Sequence, residues 1–219
     1  MANVLLGVTG SVAAVRTPAL YQTLRARGHS VRVVATESSL YFFDPAELAS
    51  GDDPAGGPVF RDADEWPGTR YRRGDPVLHI DFRKWADALV VAPLDANTLA
   101  KFALGISDNL IACVFRAWDF SAKPVVLAPA MNTLMWQSPV TARHLTQLLV
   151  DHAGPAGVGG DVATPDTAAE VFARHTPGLI LVPPQAKRLA CGDTGVGAMA
   201  EVSEIAEAVR LWSQDAPTP

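Results

Sequence analysis

Several short stretches of this sequence combine residue types able to do chemistry. In Gly7-Val8-Thr9-Gly10-Ser11-Val12, glycines let backbone N–H groups approach a phosphate, and the Thr9 and Ser11 hydroxyls add donors. The spacing is not that of a dinucleotide fingerprint. Ala35-Thr36-Glu37-Ser38 stands where an acidic residue would close the second strand of such a fold, so a mononucleotide is favoured over a nicotinamide dinucleotide. A tight turn capped by Ser11 is the alternative. Ala92-Pro93-Leu94-Asp95-Ala96-Asn97-Thr98 forms a second cradle for an anion or heterocycle, because the Asn97 amide both donates and accepts. Asp95 or Asn97 as a plain helix cap competes with that reading. Ala128-Pro129-Ala130-Met131-Asn132-Thr133-Leu134-Met135-Trp136 offers a soft apolar wall with one polar handle, or a turn in which Asn132 caps a helix.

Two further residues are reactive by type. His79 lies among apolar neighbours in Val77-Leu78-His79-Ile80-Asp81. It has no second histidine at metal-binding spacing, so it is either a satisfied core imidazole or a proton-handling group. Cys191 opens the glycine-rich Cys191-Gly192-Asp193-Thr194-Gly195-Val196-Gly197, just after Lys187 and Arg188. Nearby cations favour thiolate; an inert loop cysteine is the alternative. Cys113, in a helical pattern, reads as buried filler.

The elements that must position these residues are legible as apolar runs. Val4–Val8, Val31–Ala35, Ala88–Ala92, Val125–Ala128 and Leu179–Val182 are short, rich in β-branched residues and end at Gly, Thr or Pro, as buried parallel strands do. Helical patterns cover Val12–Arg27, Asp108–Trp118, Pro139–Val150 and Val202–Trp212. Strands alternating with helices predict an α/β doubly wound parallel sheet in a single domain spanning residues 1–219. Ligands then sit beyond the carboxyl ends of the strands, where these segments fall. Residues 49–76 and 151–175 break the rhythm and read as irregular surface excursions.

Composition narrows the function. The 219 residues are 48% hydrophobic and 19% charged, with a net charge of −5, so a real core is expected. No basic run suits nucleic acid or an anionic membrane, and no apolar stretch is long enough for a membrane span. The first residues lack a basic region and a cleavage site and read as a core strand, so a cytoplasmic protein is expected. Two cysteines exclude a disulfide scaffold or a cysteine-based zinc site, and no metal is expected.

In order along the chain, G-V-T-G-S-V-A-A, H-I-D-x-R-x-W-A-D, A-P-L-D-A-N-T-L, D-N-L-x-x-C-V-x-R-A-W-D and P-A-M-N-T-x-M-W resemble the homo-oligomeric flavin-containing cysteine decarboxylases. The closing K-R-L-A-C-G-D-x-G-x-G-A-M-A-E is similar to the coenzyme A branch of that family, which acts on phosphopantothenoylcysteine. The resemblance implies a flavodoxin-like Rossmann fold, FMN as cofactor, and a homotrimer that can assemble further into a dodecamer. By matching positions it implies that FMN is held by Gly10, Ser11, Val12, Thr36, Glu37, Ser38, Ala96, Asn97, Thr98, Leu99 and Met131. It implies His79 as the active-site histidine, Asn132 as the ligand of the substrate carboxylate, Arg188 and Ala190 on a substrate-covering loop, and Cys191 as the proton donor of a reductive step. The implied reaction oxidises a cysteinyl thiol to a thioaldehyde, which then loses CO2. The alternative implied by the same family is a peptidyl-cysteine decarboxylase, which acts on a precursor peptide's C-terminal cysteine and releases an aminoenethiol without re-reduction.

Overall fold

In the computed structural model, residues 1–48, 58–154, 156–188 and 194–215 are described. The elements, in chain order, are β1 (Asn3–Val8), α1 (Thr17–Ala26), β2 (Ser30–Ala35), β3 (Val59–Arg61), α2 (Asp62–Glu65), α3 (Leu78–Trp85), β4 (Ala88–Leu94), α4 (Ala96–Leu104), α5 (Leu110–Arg116), β5 (Val125–Pro129), α6 (Thr133–Trp136), α7 (Pro139–His152), α8 (Ala168–His175), β6 (Leu179–Leu181), β7 (Gln185–Arg188), β8 (Thr194–Ala198) and α9 (Val202–Asp215).

Six strands form one parallel sheet in the order β3-β2-β1-β4-β5-β6. Without the short edge strand β3, the remaining five, renumbered, follow the flavodoxin-like order 2-1-3-4-5. The strand order reverses between β1 and β4. That reversal opens a crevice beyond their carboxyl ends, because the connections leave in opposite directions there.

The sheet is covered on both faces, which is why its inner strands read as unbroken apolar runs. Along β1, Val4, Leu6 and Val8 pack on one face with Leu20, Leu24, Ile205 and Val209 from α1 and α9. Leu5 packs on the other with Phe82, Phe102, Ile111 and Leu148 from α3, α4, α5 and α7. Every residue of β4 is buried. No helix among the described residues is long and apolar enough to cross a membrane.

The structure corrects the sequence reading in the two irregular stretches. Residues 49–76 contain β3, which pairs in parallel with β2 (Val33 opposite Val59, Val34 opposite Phe60), and then α2. Three residues at a sheet edge are too few to show a period. Residues 151–175 hold α8, whose Ala168, Val171 and Phe172 are buried. A two-stranded antiparallel hairpin, β7–β8, was also not expected from the sequence.

Candidate functional site

The loop after β1 and the start of α4 are held together by one buried hydroxyl. Thr9 Oγ1 donates to Pro93 O (2.8 Å) and accepts from the Asp95 N–H (2.7 Å). The Thr9 amide also donates to Pro93 O at 3.3 Å. Asp95 caps α4 by accepting from the Thr98 N–H at 2.7 Å. That settles which residue is the cap, and the Asn97 amide, exposed, has no partner among the described residues.

Gly10 sits where these loops converge with the turn after β2. A side chain there would run into Ser38 Oγ and would come within 3.1 Å of Asp95 Oδ2. Only glycine leaves this concavity open. Ser11 Oγ accepts weakly from Ala13 N–H (3.4 Å) at the start of the 3-10 turn Val12–Arg16. The amides of Gly10 and Val12 find no acceptor among the described residues. Across the concavity the Thr36 and Ser38 hydroxyls lie 3.1 Å apart, with Glu37 and Ser38 exposed. The result is a cup with two unpaired N–H donors, beside the hydroxyls of Ser11 and Ser38, a donor set that suits a phosphate.

Gly10, Ser11, Thr36, Glu37 and Ser38 lie in the turns after β1 and β2, Val12 opens the 3-10 turn, and Ala96 and Asn97 open α4, all beyond the carboxyl ends of β1, β2 and β4. Thr98 and Leu99 follow in the first turn of α4; they are 1% and 0% exposed, and the Leu99 side chain is part of the core.

The turn after β5 adjoins this cup. Met131 is buried at 9% exposure, and Asn132 caps α6, with its Oδ1 accepting from Leu134 N–H at 2.8 Å. The β7–β8 hairpin lies on this turn, where the Met131 N–H donates to Gly197 O at 3.0 Å. A side chain at Gly197 would overlap Met131 O, so the glycines here permit close stacking of two backbones. The hairpin is also tied to the segment after the Gly10 cup. Glu201 accepts from Arg16 Nη2 at 2.6 Å and pairs with Lys187 Nζ. The hydrogen bond from Lys187, then that from Arg16, holds the Glu201 carboxyl at about 2, below its ordinary 4.5. Arg188 closes β7; Ala190 and Cys191 lie outside the described residues.

His79 occupies a different corner, in the first turn of α3. Its ring is a quarter exposed and borders a cavity of about 410 Å3 lined by Glu65, Trp66, Arg70, Tyr71 and Val77, among others. Among the described residues no hydrogen bond links it to the Gly10 cup or to Asn132. Its partner is Glu65, whose Oε2 accepts from the His79 N–H (3.0 Å) and whose Oε1 meets Nδ1 (2.5 Å). Glu65 was not singled out from the sequence. The signal available was the acid-rich Asp62-Ala63-Asp64-Glu65 after Val59-Phe60-Arg61, which resembles a helix start. Cys113, on α5, is the one free cysteine of the described residues. It is only partly buried rather than the buried filler expected from the sequence; burial, followed by the charges of Glu65, Asp108 and Asp62, raises its thiol above the ordinary range.

A doubly wound sheet whose switch point opens onto a cluster of unpaired amide donors is the architecture of a mononucleotide-binding protein, and the chain belongs to the Flavoprotein family, whose model matches residues 1–213. The chain is 45% identical to the phosphopantothenoylcysteine decarboxylase of Oryza sativa subsp. japonica over 215 residues, which are 98% of this chain and 82% of the rice protein. It is similar to a solved PPC decarboxylase mutant complexed with pantothenoylaminoethenethiol, with 44% identity, TM-score 0.75 and coverage of 97% and 98% of the two chains. It is also similar to the FMN binding protein AtHal3, with 44% identity, TM-score 0.73 and coverage of 99% of each chain.

Proposed function

We propose that this chain is an FMN-dependent decarboxylase of a cysteinyl carboxylate and that its substrate is phosphopantothenoylcysteine. The observation that carries the reading is the Gly10 cup at the switch point, taken with the similarity to phosphopantothenoylcysteine decarboxylases over nearly the whole chain.

The residues present fit FMN. The amides of Gly10 and Val12 and the hydroxyls of Ser11 and Ser38 suit its phosphate. The exposed Asn97 amide suits the polar edge of the ring system, and Met131 suits its apolar side. FMN, when bound, supplies an electron sink that a cysteine carboxylate lacks on its own.

The chain's own residues do the rest. Asn132, fixed by its cap to Leu134, holds the substrate carboxylate through a neutral amide. A cation there would stabilise the carboxylate that must be lost, which is the wrong state to favour. His79 moves a proton at the reacting end of the substrate, since an imidazole has one nitrogen that donates and one that accepts. Cys191 gives a proton to the decarboxylated product, and Arg188 and Ala190 belong to the strand and loop that cover the substrate.

The active unit is a homotrimer. In one chain, Val12, Leu134 and Met135, next to the cup and to Asn132, are 46%, 78% and 48% exposed, and among the described residues His79 is hydrogen-bonded to neither. A second copy covering that rim would complete the site.

The test is mass spectrometry of the purified protein incubated separately with phosphopantothenoylcysteine and with a peptide ending in cysteine. Loss of CO2 alone from phosphopantothenoylcysteine is expected. Loss of CO2 together with two hydrogens from the peptide would replace this reading by the peptide one, and no change in either would end both. The variant Cys191→Ser is expected to convert the first outcome into loss of CO2 plus two hydrogens from the same small molecule.

A further inference from the structure

We propose that Glu65 is the positioning residue for His79: its buried carboxylate holds the imidazole by Nδ1 and leaves Nε2 as the nitrogen that meets the substrate. The proposal rests on the role given to His79 above and names the group that makes this role possible.

The Glu65 side chain is 5% exposed. An ionised carboxylate has lone pairs and no hydrogen, so each oxygen must face a donor. Oε2 faces the backbone N–H of His79, and Oε1 faces Nδ1 of the same residue. Nδ1 therefore carries the proton in the neutral ring, and the lone pair is left on Nε2. The two bonds come from one carboxylate to one residue and form a chelate, so they fix the backbone and the ring plane together. A ring held only by packing would keep its place but would be free to exchange tautomers.

The short helix α2 exists to deliver this carboxylate. Its N-terminus is closed by Asp64 Oδ2, which accepts from the Arg61 N–H at 2.7 Å. Its first residue docks it on α5, since Asp62 Oδ1 accepts from the Leu110 N–H at 3.0 Å. Glu65, its last residue, reaches α3. Four residues thus link β3, α5 and α3 through side-chain-to-backbone bonds, and the only imidazole they engage is that of His79.

The substitution Glu65→Gln isolates the effect. Glutamine has the same shape but only one acceptor oxygen, whereas His79 presents two donors, its N–H and Nδ1–H. One donor must lose its acceptor. If the amide NH2 faces Nδ1, the ring proton is driven to Nε2.

The experiment uses the FMN-loaded full-length protein with ¹⁵N-labelled histidine, the His79 signals being assigned by their loss in His79→Asn. The wild type is expected to show the Nδ1–H tautomer. Glu65→Gln is expected to shift population to Nε2–H and to lower kcat about a hundredfold, with KM and FMN content within about twofold of wild type. Glu65→Asp keeps two acceptor oxygens on a shorter arm and is expected to restore the tautomer and part of kcat. A wild-type tautomer in Glu65→Gln, or an unchanged kcat, would overturn the proposal. A wild-type protein that decarboxylates nothing would end the functional reading instead, and the tautomer measurement, which needs no substrate, would still decide the role of Glu65.

Discussion

The Gly10 cup and the His79 corner are built in opposite ways. The cup lies where sheet topology puts it, at the strand-order reversal between β1 and β4. It is made mostly of backbone groups that three strand ends bring together, with Thr9 as the internal stitch. The corner lies on an elaboration of the fold, the segment between β3 and α3, and consists of two side chains whose partnership spans 14 residues. The contrast teaches that binding is inherited from the architecture, which needs only small residues at fixed turns. The His79–Glu65 contact, to which the proposal assigns the proton chemistry, is a specific pair that the architecture does not dictate.

Substitutions in the two regions are therefore expected to fail differently. The largest effect is expected from Gly10→Val. Its side chain would occupy the concavity and press on Ser38 and Asp95, so the protein is expected to fold yet lose FMN and all activity, read by flavin absorbance and circular dichroism. A yellow, active variant would break the assignment of the cup. His79→Asn is expected to do the reverse, keeping FMN while kcat falls by at least about a hundredfold. Loss of flavin in that variant would merge the two regions.

The next effect is structural. Thr9→Val conserves volume but leaves the Asp95 N–H without its acceptor and takes one of two donors from Pro93 O, at a cost of about 1–3 kcal/mol. Chemical denaturation should show that loss together with weaker FMN binding, while the His79 tautomer stays unchanged.

The smallest effect is expected at Glu201. Its carboxyl is held at about 2 by Lys187 and Arg16, against an ordinary 4.5. Because the folded-state value is depressed, the tether is fully present above 4.5 and is lost as the pH falls from there towards 2. Limited proteolysis should find the β7–β8 hairpin more open below that pH, and more open at neutral pH in Glu201→Gln. Global melting should barely move, since exposed ion pairs contribute little.

The same contrast explains what the sequence disclosed. β1, β4 and β5 are readable because both faces of the sheet are buried, so each is an almost unbroken apolar run, and β2 is readable despite the partly buried Arg32 in its middle. The cup is readable because Gly10, Ser11 and Asn97 punctuate strand ends, although the sequence left open whether Asp95 or Asn97 caps α4. The structure gives the cap to Asp95 and leaves Asn97 exposed. The Leu99 side chain, on the inner face of α4, belongs to the core. Glu65 was not legible at all. Its value comes from a tertiary approach of α2 to α3, and neither the three-residue β3 nor the four-residue α2 is long enough to leave a period.

The central claim is that the crevice between the ends of β1 and β4 holds FMN. Titration of the purified protein with FMN, followed by flavin absorbance and fluorescence, tests it most directly. The account predicts saturation at one FMN per chain in the wild type and none in Gly10→Val. A wild-type protein that is colourless and takes up no FMN, or a Gly10→Val variant that binds it as well as wild type, would contradict it.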